Sequence, residues 1–432
     1  MPDPRYAAGI GHDRGVNVLD SLPRPAETRL ALRVTPDAVR RLRGGHPWLF
    51  DGSIISVSRE GAAGDLAVVF DDDRRFVAIG LWDPESPIRV KVLHHGKPVT
   101  IDADWFRGRL AEAIARRRTL AASTGTPTAT TGYRVVHGEN DGLPGLVLDR
   151  YGHVAVLKLY SAAWVPHLAT LVPLIIEALP SRSLVLRLAR QVQVPGLHEG
   201  LSLFGPPVVE PVPFTEHGLH FEADVVRGQK TGHFLDQRDN RIRVGSMAAG
   251  ARVLDLFSCN GGFSVHAAAG GATSVHSVDS SPFAIEAART NMLLNATLPA
   301  VAACRHDTTI GEAFGVMERL AAARTRFDIV VIDPPSFASN ALAVPKALTA
   351  YQRLTTLGLA LVERDGLLVQ ASCSSRVTEP DFARAVHTAA ATAGFDLEEV
   401  ARTGHAFDHP IGFPEGGYLK AIFARPHRIK RL

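Results

Sequence analysis

The second half of the chain alternates short apolar runs with stretches of helical length, and this alternation limits the fold more than any other feature. The apolar runs predict strands, and intervening stretches such as residues 282–295 and 379–393 predict helices. Strands are predicted at residues 252–257, 274–279, 301–306, 327–332, 366–372, 396–402 and 418–424. Strand–helix alternation is typical of a parallel, doubly wound sheet, so residues 216–432 are predicted to form a Rossmann-like α/β domain.

Two smaller units are predicted before this domain. Residues 29–101 alternate short strands with turns and predict a small β-barrel, which a helical linker over 102–127 follows. Strand and helix patterns around an Asn-Asp-Gly turn predict a small α+β domain over 128–215. Residues 1–28 carry no apolar signal-peptide core, so we expect a flexible leader on a cytoplasmic protein.

Composition argues against several functional classes. No apolar run reaches the ~20 residues that a membrane span needs, so no membrane partner is expected. Three cysteines in 432 residues, without paired spacing, argue against a disulfide scaffold and a cysteine-based zinc site. His405 and His409 lack an evident third ligand, so no metal site is predicted.

Net charge is only +3, which is weak evidence for a nucleic-acid partner. Two local runs, residues 40–43 (Arg-Arg-Leu-Arg) and 116–118 (Arg-Arg-Arg), are more informative. Such clusters either neutralise phosphates or lie on solvated helix faces, and the sequence leaves both interpretations open.

A glycine-containing turn after the first strand of the α/β region predicts a nucleoside site. Gly261 and Gly262 carry no side chains, so a ligand can approach the backbone closely. The turn matches neither the dinucleotide fingerprint nor an ATP phosphate loop. Asp279, at the end of the second strand, can accept both hydroxyls of a ribose, and Asp307, at the predicted end of the third, can accept from an adenine amino group. This combination favours S-adenosylmethionine (SAM), with another nucleoside ligand as the alternative.

Two further strand ends bring a carboxylate and a thiol to one edge of the predicted sheet. Asp333 opens residues 333–337 (Asp-Pro-Pro-Ser-Phe), and Cys373 follows the next strand. A thiolate that adds to C6 of cytosine turns the ring into an enamine, whose C5 can attack the methyl group of SAM. Cys373 fits the nucleophile and Asp333 fits a donor near N3. The pattern therefore predicts covalent methyl transfer to carbon-5 of cytosine.

Other interpretations of these residues stay open. A lone cysteine is more often buried packing than a nucleophile, and we expect Cys259 to line the cofactor pocket and Cys304 to lie inside the third strand. The Asp-Pro-Pro loop also resembles loops that orient an exocyclic amine, which would make the target a guanine and Cys373 incidental. A catalytically silent RNA-binding factor for ribosome assembly is the alternative from another class.

Several motifs, in the same order along the chain, resemble those of one family. They are residues 47–50 (PWLF), 137–146 (HGENDGLPGL), 228–241 (GQKTGHFLDQRDNR), 257–264 (FSCNGGFS), 333–337 (DPPSF) and 413–420 (FPEGGYLK). With these motifs the chain resembles the bacterial class I SAM-dependent 23S rRNA cytosine-C5 methyltransferases from about Leu30 onward. Members of that family combine a PUA domain, a central α+β (EEHEE) domain and a Rossmann-like methyltransferase domain.

The resemblance implies that Cys373 is the nucleophile, that Asp333 contacts the target base, and that the PUA-like domain binds RNA, as 23S rRNA or the large ribosomal subunit. The complete predicted cofactor set is Phe234, Gln237, Asp255, Phe257, Gly261, Gly262, Asp279, Ser280, Asp307, Asp333 and Pro334. Cys259 and Asn260 replace the Tyr-Thr common in this turn, and a guanine-methylating branch shares the Asp-Pro-Pro loop. The target base and the oligomeric state, a homodimer included, therefore stay open.

Overall fold

The computed structural model describes residues 18–123, 125–338 and 340–429. The first unit is a six-stranded mixed sheet in the order β2-β6-β5-β4-β1-β3. Its strands are β1 (Leu30–Val34), β2 (Trp48–Phe50), β3 (Ile54–Val57), β4 (Leu66–Phe70), β5 (Phe76–Trp82) and β6 (Ile88–His95). Helix α1 (Pro36–Arg43) begins after Thr35, whose side chain accepts the Ala38 amide.

The second unit is a five-stranded sheet in the order β11-β10-β9-β8-β7, preceded by two helices. Its elements are α2 (Ala103–Arg116), α3 (Arg118–Ala122), β7 (Gly132–His137), β8 (Leu146–Tyr151), β9 (Val154–Leu159), α4 (Leu168–Ala178), β10 (Ser183–Leu188) and β11 (Ser202–Phe204). Three strands precede α4, so the unit has one strand more than the EEHEE pattern. The helical linker predicted over 102–127 is two helices that meet at Arg117.

A two-stranded hairpin, β12 (Val212–Glu216) and β13 (Leu219–Ala223), joins the second unit to the third. Phe214 and Phe221 of the hairpin share one buried cluster with Val156 of the central sheet and Val265 of the following domain. The hairpin therefore packs between two domains and is not a free linker.

The third unit is the predicted α/β domain, with one difference in strand direction. Its seven strands run in the order β16-β15-β14-β17-β18-β20-β19, and β20 is antiparallel to both of its neighbours. They are β14 (Arg252–Leu256), β15 (Ser274–Asp279), β16 (Arg305–Ile310), β17 (Phe327–Ile332), β18 (Val362–Ser372), β19 (Phe395–Thr403) and β20 (Lys420–Arg428).

Helices cover both faces of this sheet and bury two apolar clusters. They are α5 (Arg238–Ser246), α6 (Gly262–Ala269), α7 (Pro282–Leu294), α8 (Pro299–Ala303), α9 (Ala313–Ala322), α10 (Val344–Leu361) and α11 (Glu379–Thr392). Within the described ranges, no helix combines the length and apolarity that crossing a bilayer requires.

Two predictions about local structure are wrong. The third strand begins at Arg305, because residues 299–303 form α8, and Cys304 therefore precedes the strand instead of lying inside it. The leader predicted over 1–28 is not loose from Val18 onward, since Leu19 and Leu22 are buried in the core shared by the first two units. Residues 1–17 of that leader lie outside the described residues.

Buried charges join the second unit to the third. Both terminal nitrogens of Arg117 donate to the Asp141 carboxylate at 2.8 Å, and Nη2 also donates to the Asp408 carbonyl at 2.7 Å. Asp408 in turn pairs with Arg238 at 3.0 Å and accepts the Arg134 amide at 2.7 Å. Arg117 is thus a structural residue, and the phosphate-binding interpretation of the run 116–118 is wrong for it.

Candidate active site

The carboxyl ends of β17 and β18 lie side by side and carry Asp333 and Cys373. The Cys373 Sγ atom is 3.6 Å from the carbonyl oxygen of Pro334, so the thiol contacts the Asp-Pro-Pro loop directly. Gln237 Nε2 donates to Asp333 Oδ1 at 2.8 Å and orients that carboxylate. The structure thus brings together the thiol and the carboxylate as the sequence predicts, and it places Gln237, a predicted cofactor residue, against the carboxylate.

Burial sets the protonation of this pair. It raises the pKa of Asp333 to about 6, and the charge of Asp236 acts in the same direction. It also raises the pKa of the Cys373 thiol to about 11, with Asp333 adding to the rise. The thiol is therefore protonated at neutral pH in the free protein, whereas Asp333 can gain or lose a proton near pH 6.

Lys230, which the sequence marked only as part of the motif at 228–241, faces the same crevice. Lys230 Nζ donates to Asp236 Oδ2 at 2.6 Å and lies 4.4 Å from the ring centroid of Phe234. Tyr418 donates its hydroxyl to the same Asp236 oxygen at 2.7 Å. The positive charge of Lys230 lowers the pKa of Cys373, against the larger effect of burial.

Lys420 holds the loop that follows Cys373. Its buried Nζ donates to the carbonyls of Ser374, Val377 at 2.5 Å and Tyr418 at 3.2 Å. Burial lowers the pKa of Lys420 to about 8, while the nearby Cys373 raises it. Lys420 thereby fixes the end of β18 to β20, a role for which the motif at 413–420 gave the only signal.

The turn after β14 has a backbone that few residues accept. Phe257, Cys259 and Gly261 have φ angles of 61°, 49° and 76°. A Cβ atom at Gly261 would lie 2.8 Å from the Cβ of Ala288, so a side chain there has neither the conformation nor the space. At Gly262, an added Cβ would lie 2.7 Å from Arg241 Cδ.

Asp279 lies at the carboxyl end of β15 and faces this turn. Its two oxygens accept the Cys259 amide at 3.0 Å and the Ser281 amide at 2.9 Å. These bonds fix the carboxylate at the rim of the crevice, with lone pairs left for further donors. Ser280 follows at the same edge.

Asp255 ties the start of α6 to the sheet. Its Oδ2 accepts the Ser264 amide at 3.1 Å and the Ser264 hydroxyl at 2.6 Å, and burial raises its pKa to about 7. Asp255 Oδ1 and Ser258 Oγ are buried atoms without a partner in the structure. Unpartnered buried acceptors beside a glycine turn are the kind of groups that a polar ligand can satisfy.

Asp307 does not lie where the sequence placed it. It is the third residue of β16, pairs with His276 in the register, and ion-pairs with Arg305 at 2.9 Å, while the strand continues to Ile310. The prediction that the third strand ends at Asp307 is wrong, and the position of Asp307 gives no support for an adenine contact.

The two histidines considered as metal ligands have structural roles. His405 Nε2 accepts the Leu419 amide at 3.1 Å, and His409 Nδ1 lies 3.1 Å from an oxygen of the buried Asp408.

The arginines of α1 stay exposed, although Arg40 and Arg41 both pair with Asp37.

The strand order, the glycine turn and the carboxylate after β15 together define a Rossmann-like methyltransferase. A model of S-adenosylmethionine-dependent methyltransferases matches residues 181–424, and a model of PUA-like domains matches residues 32–95. The chain belongs to the SAM-dependent methyltransferase family, and it carries a PUA-like domain at its N-terminal side. The predicted fold class and the predicted cofactor, SAM, are therefore confirmed.

Similar proteins cover nearly the whole chain. A ribosomal RNA large subunit methyltransferase of Deinococcus radiodurans is 44% identical over 407 residues, which are 93% of this chain and 99% of that protein. Ribosomal RNA large subunit methyltransferase I of Shewanella amazonensis is 35% identical over 403 residues, 92% and 99% of the two chains. A crystal structure of a methyltransferase complexed with SAH has the same fold, with a TM-score of 0.78, 22% identity and coverage of 91% of this chain and 99% of its own.

Proposed function

We propose that this enzyme methylates carbon-5 of a cytosine in 23S rRNA through a covalent bond between Cys373 and C6 of the base. The observation that carries the proposal is the 3.6 Å contact between the Cys373 sulfur and the Pro334 carbonyl, beside Asp333. The large-subunit rRNA named for the two relatives supports the choice of RNA substrate.

The residues of the crevice suit each proton and electron movement of this reaction. The Cys373 sulfur bonds to C6 as its proton passes to water, and Asp333 gives a proton to N3, so that the ring becomes an enamine. SAM, when bound, supplies an electrophilic methyl group. The enamine electron pair at C5 forms a bond to that methyl group as the bond from the methyl carbon to the sulfonium sulfur breaks, and the departing sulfur keeps that electron pair. C5 then loses its proton to water as the C6–S bond breaks and its electron pair returns to the Cys373 sulfur, and N3 returns its proton to Asp333.

The pKa of Asp333, about 6, suits the role of reversible donor because the group can give and regain a proton near neutral pH. The Cys373 thiol, with a pKa of about 11, reacts only when proton transfer accompanies base binding. Lys230 supplies a positive charge that favours the thiolate in that step.

Methyl transfer from labelled SAM to unmodified 23S rRNA, followed by nucleoside mass spectrometry, tests the proposal. We expect the label in 5-methylcytidine. Label in a methylguanosine would contradict the cytosine mechanism. The Asp-Pro-Pro loop would then orient an amine or a ring nitrogen of the guanine. Burial, which raises the pKa of the Cys373 thiol, favours this second function. Assembled large subunits, assayed in parallel, separate a substrate requirement from an absence of activity.

We also propose that Asp279 holds the ribose of SAM and that Asp307 does not contact the cofactor. Replacing Asp279 by Ala removes charge-assisted hydrogen bonds worth about 1.5–3 kcal/mol, so the Kd for SAM should rise about 10- to 150-fold. The matched variant Asp307→Ala should leave that Kd within about twofold. Calorimetric titration of each variant with SAM measures both values. Equal weakening by the two substitutions would contradict this assignment.

We propose that the other predicted cofactor residues contribute by the places they occupy around the cofactor. The packing of Gly261 against Ala288 and of Gly262 against Arg241 would fix the turn beside which SAM lies, and Ser258 and Asp255 hold unpartnered oxygens next to it. Phe234 and Gln237 lie just before α5, where Gln237 already binds Asp333. The exposed arginines of α1 are proposed to bind RNA phosphates.

A further inference from the structure

The central domain presents aromatic and cationic side chains that the reaction does not use. Tyr160, directly after β9, exposes 45% of its surface; Phe204 on β11 is exposed as well, whereas Tyr151 and Trp164 of the same domain are buried. Lys158 Nζ lies 5.5 Å from the centroid of the Tyr160 ring. An exposed ring with a cation beside it is suited to stacking against a base.

This pair is continuous with the catalytic crevice. Lys158 Nζ donates to the Lys230 carbonyl at 3.0 Å, and the Lys230 ammonium lies 4.4 Å from the centroid of the Phe234 ring. Lys230 also lies among the charges that act on Cys373. Tyr160, Lys158, Lys230 and Phe234 thus form one surface, here called the aromatic–lysine strip, which leads from the central domain to the thiol.

The outer end of the strip opens into a depression of ≈ 750 Å³, lined in part by Arg190, Gln193 and His198. The depression adjoins the strip because the Ala189 amide donates to the Leu159 carbonyl at 2.8 Å and Gln191 donates to the Tyr160 carbonyl at 3.3 Å.

The charges along the strip favour an anionic occupant. Lys158 donates to a carbonyl rather than to a carboxylate in that contact, so its charge is not cancelled there. Asp236 pairs with Lys230 of the strip at 2.6 Å, but the acids near Lys158 pair with other residues, since Asp149 pairs with Arg134 at 2.8 Å and Glu199 pairs with Arg187 at 2.7 Å. Rings and cations side by side are what proteins use to bind single-stranded nucleic acid, because every base has a face that stacks.

We propose that the aromatic–lysine strip binds an unpaired nucleotide that flanks the target base, with the base stacked on Tyr160 and its phosphate near Lys158 and Arg190. The inference rests on the proposed RNA substrate. It assigns to the central domain the task of holding the strand while the target base enters the crevice beside Cys373.

Binding of a 23S rRNA transcript free of modifications tests the strip. Tyr160→Ala should raise the Kd for this RNA about 5- to 100-fold and raise KM, with kcat and the Kd for SAM changed much less. Tyr160→Phe should retain affinity because the ring remains. Lys158→Gln and the exposed Arg190→Gln should each reduce the slope of log Kobs against log salt by about 0.7.

Phe204→Ala is the matched control, since Phe204 is a 43% exposed ring on β11 of the same domain. Equal RNA affinity for Tyr160→Ala and Phe204→Ala, or unchanged salt slopes for both charge variants, would overturn the proposal. A loss confined to kcat would overturn it as well. Wild-type protein that binds the transcript yet forms no 5-methylcytidine on RNA or subunits would refute the proposed function, while the affinities would still test the strip.

Discussion

Replacing Cys373 by Ala should lower the rate of methyl transfer at least about 1,000-fold while SAM and RNA still bind. The reason is that C5 of cytosine becomes a nucleophile only after sulfur adds to C6, and Cys373 is the thiol that contacts the Asp-Pro-Pro loop. Single-turnover assays with labelled SAM measure the rate, and calorimetry measures the affinity for SAM. The side chain is half-buried beside Pro334, and its loss removes one sulfur atom from a small contact.

Cys259→Ala is the matched control for this experiment. Cys259 lies near the same edge of the sheet, and burial raises its pKa to about 11, as it does for Cys373. Its substitution should leave the chemical rate within a few-fold, because its backbone amide, not its sulfur, binds Asp279. Equal losses in the two variants would mean that general disturbance of the crevice, and not a lost nucleophile, explains the effect.

A trapped adduct distinguishes the covalent mechanism from every route in which Cys373 is incidental. In RNA that contains 5-fluorocytidine, C5 cannot lose a proton, so the C6–S bond should persist and a protein–RNA complex should survive denaturing electrophoresis. Cys373→Ala should form no such complex. Full activity of Cys373→Ala on a guanine would contradict the covalent mechanism.

The α/β domain could be predicted because its buried strands are nearly continuous apolar runs. Residues 327–332 are a strand as predicted, and α7 begins at Pro282 after the Ser281 cap. The rule that ligand sites follow the carboxyl ends of strands also brought Asp333 and Cys373 together correctly. Local patterns sufficed here because each element is specified by its own residues.

Elements specified by distant contacts could not be predicted in this way. Residues 299–303 are apolar enough for a strand but form a short helix behind Pro299, which moves Asp307 away from the edge. Arg117 belongs to a basic run, and only Asp141 and Asp408 reveal that its charge is buried and paired. The antiparallel direction of β20 likewise depends on strand pairing, which no local pattern encodes.

In the candidate site, too, some roles could be predicted from local sequence and others depend on distant contacts. The thiol, the carboxylate and the glycine turn carry chemistry in their own residue types, whereas Lys230 and Lys420 gain their roles from neighbours. Lys230 matters because Asp236 and Phe234 hold it, and Lys420 because three carbonyls converge on it. A motif can mark such residues, but the motif does not say what they do.

Glu216→Gln should destabilise the protein by about 3–5 kcal/mol, the largest stability effect that we expect from a single substitution here. Glu216, at the end of β12, is fully buried and binds Arg241 through both oxygens at 2.7 and 2.5 Å. Burial alone would raise the pKa of Glu216, but Arg241 and the two neighbouring histidines hold it well below its usual range. Removing the negative charge leaves the Arg241 guanidinium buried and uncompensated.

The effect should extend to the cofactor turn, because Arg241 also donates to the Phe234 carbonyl at 2.9 Å and packs under Gly262. Urea unfolding measures the free energy, and Glu318→Gln is the matched control, since its pair with Arg353 is more than half exposed on both sides. That control should cost no more than about 1 kcal/mol. A double substitution, Glu216→Leu with Arg241→Met, should recover much of the loss, because it removes both buried charges together. Equal costs for Glu216→Gln and Glu318→Gln would show that water reaches the buried pair, and the hairpin would then join the domains by apolar packing alone.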